Sequence, residues 1–368
     1  MLSQSQPTTT DMERAKATDL ARQYELALQG SPDDELDISF MHSSFCLSGL
    51  PLRPLIDRSQ TPIDSTLPAI PGRRKELPAF FRRGGSCSLS INATNLQLPI
   101  SGREICTGVP WGSRSRLLVL WATTAAQQND TNTWLEIGSI RSWLKVIGVQ
   151  YCQDSINAIK DQLIRLSFAR FTMLMAHGGN QFFTNDCLFE SGVFEDTDLE
   201  NYADNDLTNV RMPLGLKLSD KAFQRFSGRD AIPVPTQALR TIANNSMAID
   251  LFVYMLFKLR AIPEGETFLI NWKSLIGQFG NGESKSRFIK DYKASIDRAI
   301  EAMSCAAKVA VDDEGLRLHH VKPAEFRRLF VVAPSTSATS RITRNRLVNR
   351  IMPAAIDPAK QSVLELRR

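Results

Sequence analysis

One order of elements occurs twice in this chain, about 132 residues apart, and a chain that repeats itself in this way is confined to folds assembled from two like units. In the first copy, Gly112 to Ala126 places Leu117, Leu118, Leu120 and Trp121 on one helical side, and Thr133 to Ile137 follows as a short strand. Ser139 caps a helix that runs to Val146 and is stopped at Gly148; Asp154 to Phe168 is another, with Ile156, Ile159, Leu163 and Leu166 facing inward. Arg170 to Ala176 and Gln181 to Phe189 then alternate around His177, Gly178, Gly179 and Asn180, which predicts a hairpin. The second copy repeats this with a helix over Met247 to Leu259, a strand over Thr267 to Ile270, and helices over Trp272 to Phe279 and Ser284 to Met303. Its hairpin joins Lys308 to Asp312 with Leu316 to Val321. Trp143-Leu144 before Ile147-Gly148 matches Leu275-Ile276 before Phe279-Gly280, Ile156 falls on Phe288, and Ile164 on Ile296. The expected fold is α+β: two tandem winged-helix domains, each a helix-turn-helix with a β-hairpin wing, related by internal duplication.

The long helix of the second copy divides by period into two faces. Phe288, Tyr292, Ile296 and Ile300, with Ile289 and Met303 beside them, form an apolar stripe. Lys285, Ser286, Arg287, Lys290 and Lys293 occupy the other side and the first turns. Positive charge at a helix N-terminus opposes the macrodipole, so it points to an anion outside the helix. These five residues, with Arg317 in the second hairpin, are the candidate contacts to double-stranded DNA. In the first copy Asp154, Asn157 and Asp161 occupy much of the outer face, leaving Asn157, Lys160, Arg165 and, in the hairpin turn, Asn180 as candidates. The second copy is expected to dominate affinity and the first to help dimerise.

Around these copies the sequence predicts a flexible arm over residues 1–39, a first domain with an N-terminal extension over 40–200, a second over 201–330, and a basic disordered tail over 331–368. Asp186 to Asp206 carries eight acidic residues and no Lys or Arg, which predicts a solvated loop. The net charge of +5 permits nucleic acid without requiring it. No apolar run approaches the roughly 18 residues that span a bilayer, and no leader is evident at Met1, so a soluble, cytoplasmic protein without membrane contact is expected. The six cysteines are scattered, with no metal-ligand spacing, and are expected as buried reduced thiols.

Catalytic motifs are missing. Gly280, Gly282, Lys285 and Ser286 fall short of a phosphate-binding loop because Glu283 and Ser284 intervene before Lys285. His319 and His320 are adjacent, so on a strand they point to opposite faces and cannot share a metal. No cofactor, metal or enzymatic activity is expected, although a nicking or priming enzyme and a dedicated transcriptional repressor are the rivals to weigh.

Four stretches carry a family resemblance: HSSFCLSGLPLRP from His42, GVPWGSRSRLLVLW from Gly108, EIGSIRSWLKVIGV from Glu136 and NNSMAIDLFVYMLFKLR from Asn244. In this order they resemble plasmid-encoded replication initiators of the RepA type. The resemblance implies a protein that binds repeats at a plasmid origin, opens it, recruits host replication proteins such as a helicase or initiator, and represses its own promoter. It also implies a homodimer that exchanges with monomer, and a role in plasmid copy number control.

Overall fold

The computed structural model of the chain describes residues 22–24, 26–28, 37–56, 75–84, 87–135, 147–150, 152–177, 180–304 and 307–331. The first half starts with strand β1 (Ile38–His42), helix α1 (Ser43–Leu47) and strands β2 (Ala79–Gly84), β3 (Cys87–Asn92), β4 (Asn95–Gln97) and β5 (Glu104–Cys106). Helices α2 (Gly112–Gln128) and α3 (Gln153–Phe168) precede the hairpin of β6 (Arg170–His177) and β7 (Asn180–Cys187). A connecting region holds β8 (Phe189–Val193), α4 (Asp198–Ala203), β9 (Gly215–Leu218), α5 (Asp220–Phe226), β10 (Ala231–Pro235) and α6 (Thr236–Ile242). The second half comprises α7 (Ser246–Leu259), β11 (Thr267–Asn271), α8 (Trp272–Phe279), α9 (Lys285–Met303), β12 (Val309–Val311), β13 (Gly315–His319) and α10 (Pro323–Arg327). The expected helix over 139–146 and the tail beyond residue 331 lie outside the described residues. No helix among those described is long and apolar enough to cross a membrane.

Both halves contain a hairpin, but the two are built into different sheets. In the second half β13 lies between β11 and β12, all antiparallel, with Thr267 opposite His319 and Val309 opposite Leu318. In the first half the hairpin extends a four-stranded antiparallel sheet ordered β2-β3-β6-β7. Leu135, where the sequence predicts a strand, makes only an isolated bridge to Leu216 in β9. The difference has a source in β3, whose alternation buries Cys87, Leu89 and Ile91 and continues the apolar underside of β6 around Phe171. Ile156 is half-buried, whereas Phe288 is fully buried. Among the described residues each half carries two helices followed by a hairpin, and the two differ in how their strands pair.

The halves meet around α7. Met247 to Leu256 is buried without interruption, and a helix apolar on every side has to be enclosed. Helices α1, α2, α6 and α9 and strand β10 pack on it, while β1 pairs antiparallel with β10 and so joins residue 38 to residue 235. One charge sits inside this shell. Asp250 accepts from Arg116 Nε and Nη2, each at 2.6 Å, and the guanidinium also donates to the carbonyls of Leu50, Pro51 and Gly112 at 2.5 to 3.1 Å. Burial raises the Asp250 pKa, against the pull of Arg116 and Arg82. Gly49 comes so close that an added Cβ would lie 2.5 Å from Asp250 Oδ2.

Two expectations change at the margins. Tyr24, in the segment predicted as a flexible arm, is fully buried, donates to Val321 O at 2.5 Å and packs edge-on against Phe326 at 5.0 Å. Its apolar ring and single hydroxyl anchor the segment to the second half. The acidic stretch contains β8 and α4 rather than a solvated loop. Asp198 is fully buried and accepts from the amides of Glu195 and Arg211, while Glu200 and Asp204 clasp Arg103 at 2.9 and 2.6 Å. Cys46 and Cys87 are buried free thiols as expected, but Cys152 is exposed.

Removing one partner of the central pair should show how far the fold depends on it. Asp250→Ala leaves a guanidinium unpaired in the core and is expected to lower stability by about 3–5 kcal/mol. Arg116→Met combined with Asp250→Leu is expected to recover most of that loss in urea unfolding. A second test concerns pH. His42 is buried beside Phe226 and accepts the Ser44 amide on Nδ1 as the cap of α1, and burial lowers its pKa to about 4. The unfolded chain therefore takes up the proton first. Stability is complete above about pH 6.5 and falls as pH drops toward 4, with about 2–3 kcal/mol lost by pH 4.5. Urea midpoints at pH 7.5 and 4.5 should show a shallower dependence in His42→Gln.

Candidate nucleic-acid interface

The α8–α9 pair is held from three sides. Asn271 caps α8 by accepting from Ser274 N at 2.7 Å, and Trp272 Nε1 donates to Asp312 O at 3.1 Å, which fixes the helix to the β12–β13 hairpin. The chain then turns through Gly280 to Ser284. An added Cβ on Gly280 would meet Ile276 O at 2.7 Å, and Gly282 has φ +84, so both positions require glycine. Ser284 caps α9 through the amide of Arg287. Phe288, Ile296, Ala299 and Met303 bury the inner side of α9, with Tyr292 packed on Phe288 at 5.0 Å.

The outer side of α9 holds the residues predicted from its charge pattern. Lys285, Ser286, Arg287, Lys290 and Lys293 are all exposed, and no acidic residue occupies the first turn. Arg287 reaches Asp291 at 3.4 Å and Lys293 reaches Asp297 at 3.2 Å, exposed pairs one turn apart that an arriving phosphate can displace at little cost. Lys285 turns back toward the hairpin and donates to Asp313 O. Arg317 is not a free cation: Asp312 and Glu314 hold it at 3.1 and 3.2 Å. The tip of this hairpin, Asp312 to Glu314, is acidic, and two backbone amides and Arg317 hold the Asp312 carboxyl below its usual range.

The first-half candidates are placed differently, and two of them are corrected. Lys160 is buried and donates to the carbonyls of Leu207 and Thr208 at 3.0 and 3.2 Å. Arg165, also buried, binds Glu76 through both Nη atoms at 2.5 and 2.9 Å, Asp161 at 2.9 Å and Val109 O at 3.2 Å. Neither cation has surface to offer a phosphate, because the 207–208 segment and Glu76 cover what helical period alone would place outside. Asn157 is half-buried and accepts from Gln153 at 2.8 Å. Asn180 opens β7, and its side chain lies outside the described residues. Thus α3 is enclosed from Ile159 to Leu166, while α9 keeps one side open.

Sequence reasoning passed over the arginines that support this arrangement. Arg82 is 6% exposed and donates to Gly49 O and Gly280 O, both at 3.1 Å, and to Asn281 at 3.3 Å, so it ties β2 to the turn before α9. Burial lowers its pKa to about 10. Replacing Arg165 should separate structural from interfacial charge. Arg165→Ala is expected to cost about 3–5 kcal/mol in urea unfolding, with the salt dependence of DNA binding unchanged at temperatures where the variant is folded.

Residues 109–274 match the model of a family described as plasmid encoded RepA protein. The match runs from before α2 into α8 and stops short of α9. No curated protein matches the chain. Among solved structures, a crystal structure of RctB domains 2–3 aligns with 71% of this chain and 98% of its own, at 14% identity and a TM-score of 0.43. A selenomethionine derivative of RctB domains 2 and 3 aligns with 75% and 97%, at 12% identity and 0.44.

Proposed function

We propose that this chain, whose residues 109–274 belong to the plasmid-encoded RepA family, is a sequence-specific double-stranded DNA-binding protein that initiates plasmid replication at its origin and represses its own promoter. The observation that carries the DNA-binding part is α9: a capped helix with one side seated in the core and Lys285, Arg287, Lys290 and Lys293 exposed on the other. In this reading α8 and α9 form the helix-turn-helix and β12–β13 the wing of a winged-helix unit. The first half, in element order its diverged duplicate, contributes support and dimerisation through residues 40–200 rather than phosphate contacts. Lysine and arginine neutralise phosphates and release counterions, while residues near the N-terminus of α9 contact base edges in the major groove. The protein acts in the cytoplasm by binding, without a catalytic step, metal or cofactor of its own. Its partners are origin repeats and a host helicase or initiator.

The test is a titration of cognate and scrambled duplexes at several salt concentrations, with cognate sites taken by footprinting from the DNA flanking its own gene. Arg287→Ala or Lys290→Ala is expected to cost about 1–3 kcal/mol on the cognate duplex and to relax base preference at one position. Lys293→Ala should weaken all duplexes equally and reduce the salt slope by about one ion. Wild-type affinity and slope in all three variants would overturn the assignment of α9. Directly repeated sites in an AT-rich region favour initiation, and a lone inverted repeat favours a dedicated repressor.

A further inference from the structure

The antiparallel register of the β2-β3-β6-β7 sheet sorts its side chains onto two faces. Phe80, Leu89, Ile91 and Phe171 point into the core. On the opposite face Phe81 and Phe183 are 74% and 71% exposed, and Leu174, paired directly with Phe183, is 39% exposed. Single exposed apolar residues are ordinary on a protein surface, but two phenylalanines standing almost free on one sheet are not. By strand spacing they lie about 15 Å apart, on the two edge strands.

The charge on this face has one sign. Arg83 follows Phe81 by two residues and shares its side of β2; Arg170 lies on the same face of β6. Both are exposed, and neither is ion-paired among the described residues. Every other outward position on the four strands is Ser, Thr, Asn, Gln, Ala or Cys, and none is Asp or Glu. Two separated aromatic faces flanked on either side by a guanidinium group, on a polar ground without acid, suit a chain of unpaired bases. The rings stack on exposed bases, and the arginines meet the phosphates that link them. A duplex keeps its base faces covered and has nothing to offer the rings. A second copy of this chain, docked face to face, would oppose arginine to arginine with no carboxylate to pair either.

We propose that this open sheet face binds single-stranded DNA, with Phe81 and Phe183 as stacking residues and Arg83 and Arg170 as phosphate contacts. The proposal goes beyond duplex binding by α9 and rests on the initiator reading only for the choice of DNA. The two elements adjoin: α8 packs along β2, and Arg82, pointing inward from β2, holds the turn that leads into α9. A strand released from a duplex held on α9 therefore has an unpaired-base platform beside it.

The experiment uses the full chain and a fluorescein-labelled 25-nucleotide oligomer of mixed sequence, single-stranded, as its RNA equivalent, and annealed to its complement. Phe81→Ala combined with Phe183→Ala is expected to weaken single-strand binding by about tenfold or more while leaving duplex affinity and the thermal midpoint unchanged. Arg83→Ala and Arg170→Ala should each flatten the salt dependence of single-strand binding. No single-strand binding by the wild type, tighter binding of the RNA equivalent, or unchanged single-strand binding in the double variant would overturn the proposal. So would a double variant that loses only dimer mass in sedimentation, which would assign the face to a second copy. If the wild type binds single strands and the α9 variants leave duplex binding intact, the assignment of α9 fails and this one stands.

Discussion

A carboxylate at the centre of an apolar helix organises this molecule. Asp250 is met in the core by two hydrogen bonds from Arg116, and Arg116 is held there by three backbone carbonyls. Those carbonyls belong to the turn after α1 and the start of α2, whereas Asp250 belongs to α7. The pair therefore sets the distance between the halves, and Gly49 records how close they come. Ion pairs of this kind add little to stability compared with apolar replacements, but they specify one arrangement, since any slip leaves both charges buried and unpaired. The β1–β10 pairing adds a second constraint, since it fixes residues 38–42 against 231–235 in one antiparallel register.

Around that centre the two halves divide their labour. α3 and α9 each precede the hairpin of their half, yet the first is closed over by Glu76 and the 207–208 segment, and the second is open. The buried charges on α3 are met by one another, by Glu76 and by backbone carbonyls, so they fix the fold. Arg287 and Lys293 on α9 meet only exposed carboxylates one turn away, and Lys285 only an exposed carbonyl of the hairpin tip, so these charges stay at the surface. The acidic residues from 186 to 206 belong with the first group. Asp198 accepts from backbone amides, and Glu200 in α4 with Asp204 just after it clasps Arg103.

What was legible in the sequence was local. Ser284, the glycines before it and the four-residue apolar stripe placed α9 nearly to the residue, because a cap and a period are both written in neighbouring positions. The same holds for α7, α8 and both hairpins. Long-range covering was not legible. Helical period puts Lys160 and Arg165 outside, and only the folded chain shows what comes from residues 76 and 207–208 to cover them. The strand partners of the first hairpin were hidden for the same reason, since nothing near residue 170 announces β3. One distant signal was present and unused: Asp250, a lone carboxylate in the apolar run from Met247 to Phe257, demands a cation, and the arginines at 82 and 116 were there to supply it.

Arg82 bears on the shape of any DNA this molecule engages. Its bonds to Gly49, Gly280 and Asn281 tie β2 to the turn that leads into α9, so the angle between them is set inside the core. Two surfaces at a fixed angle act as a mould. On the proposed assignments, DNA that follows both has to adopt the curvature the protein presents, and sequences that bend or unstack cheaply fit it at lower cost than stiff ones. Under those assignments, discrimination between sites would extend through the mechanics of the DNA to positions none of the side chains touches.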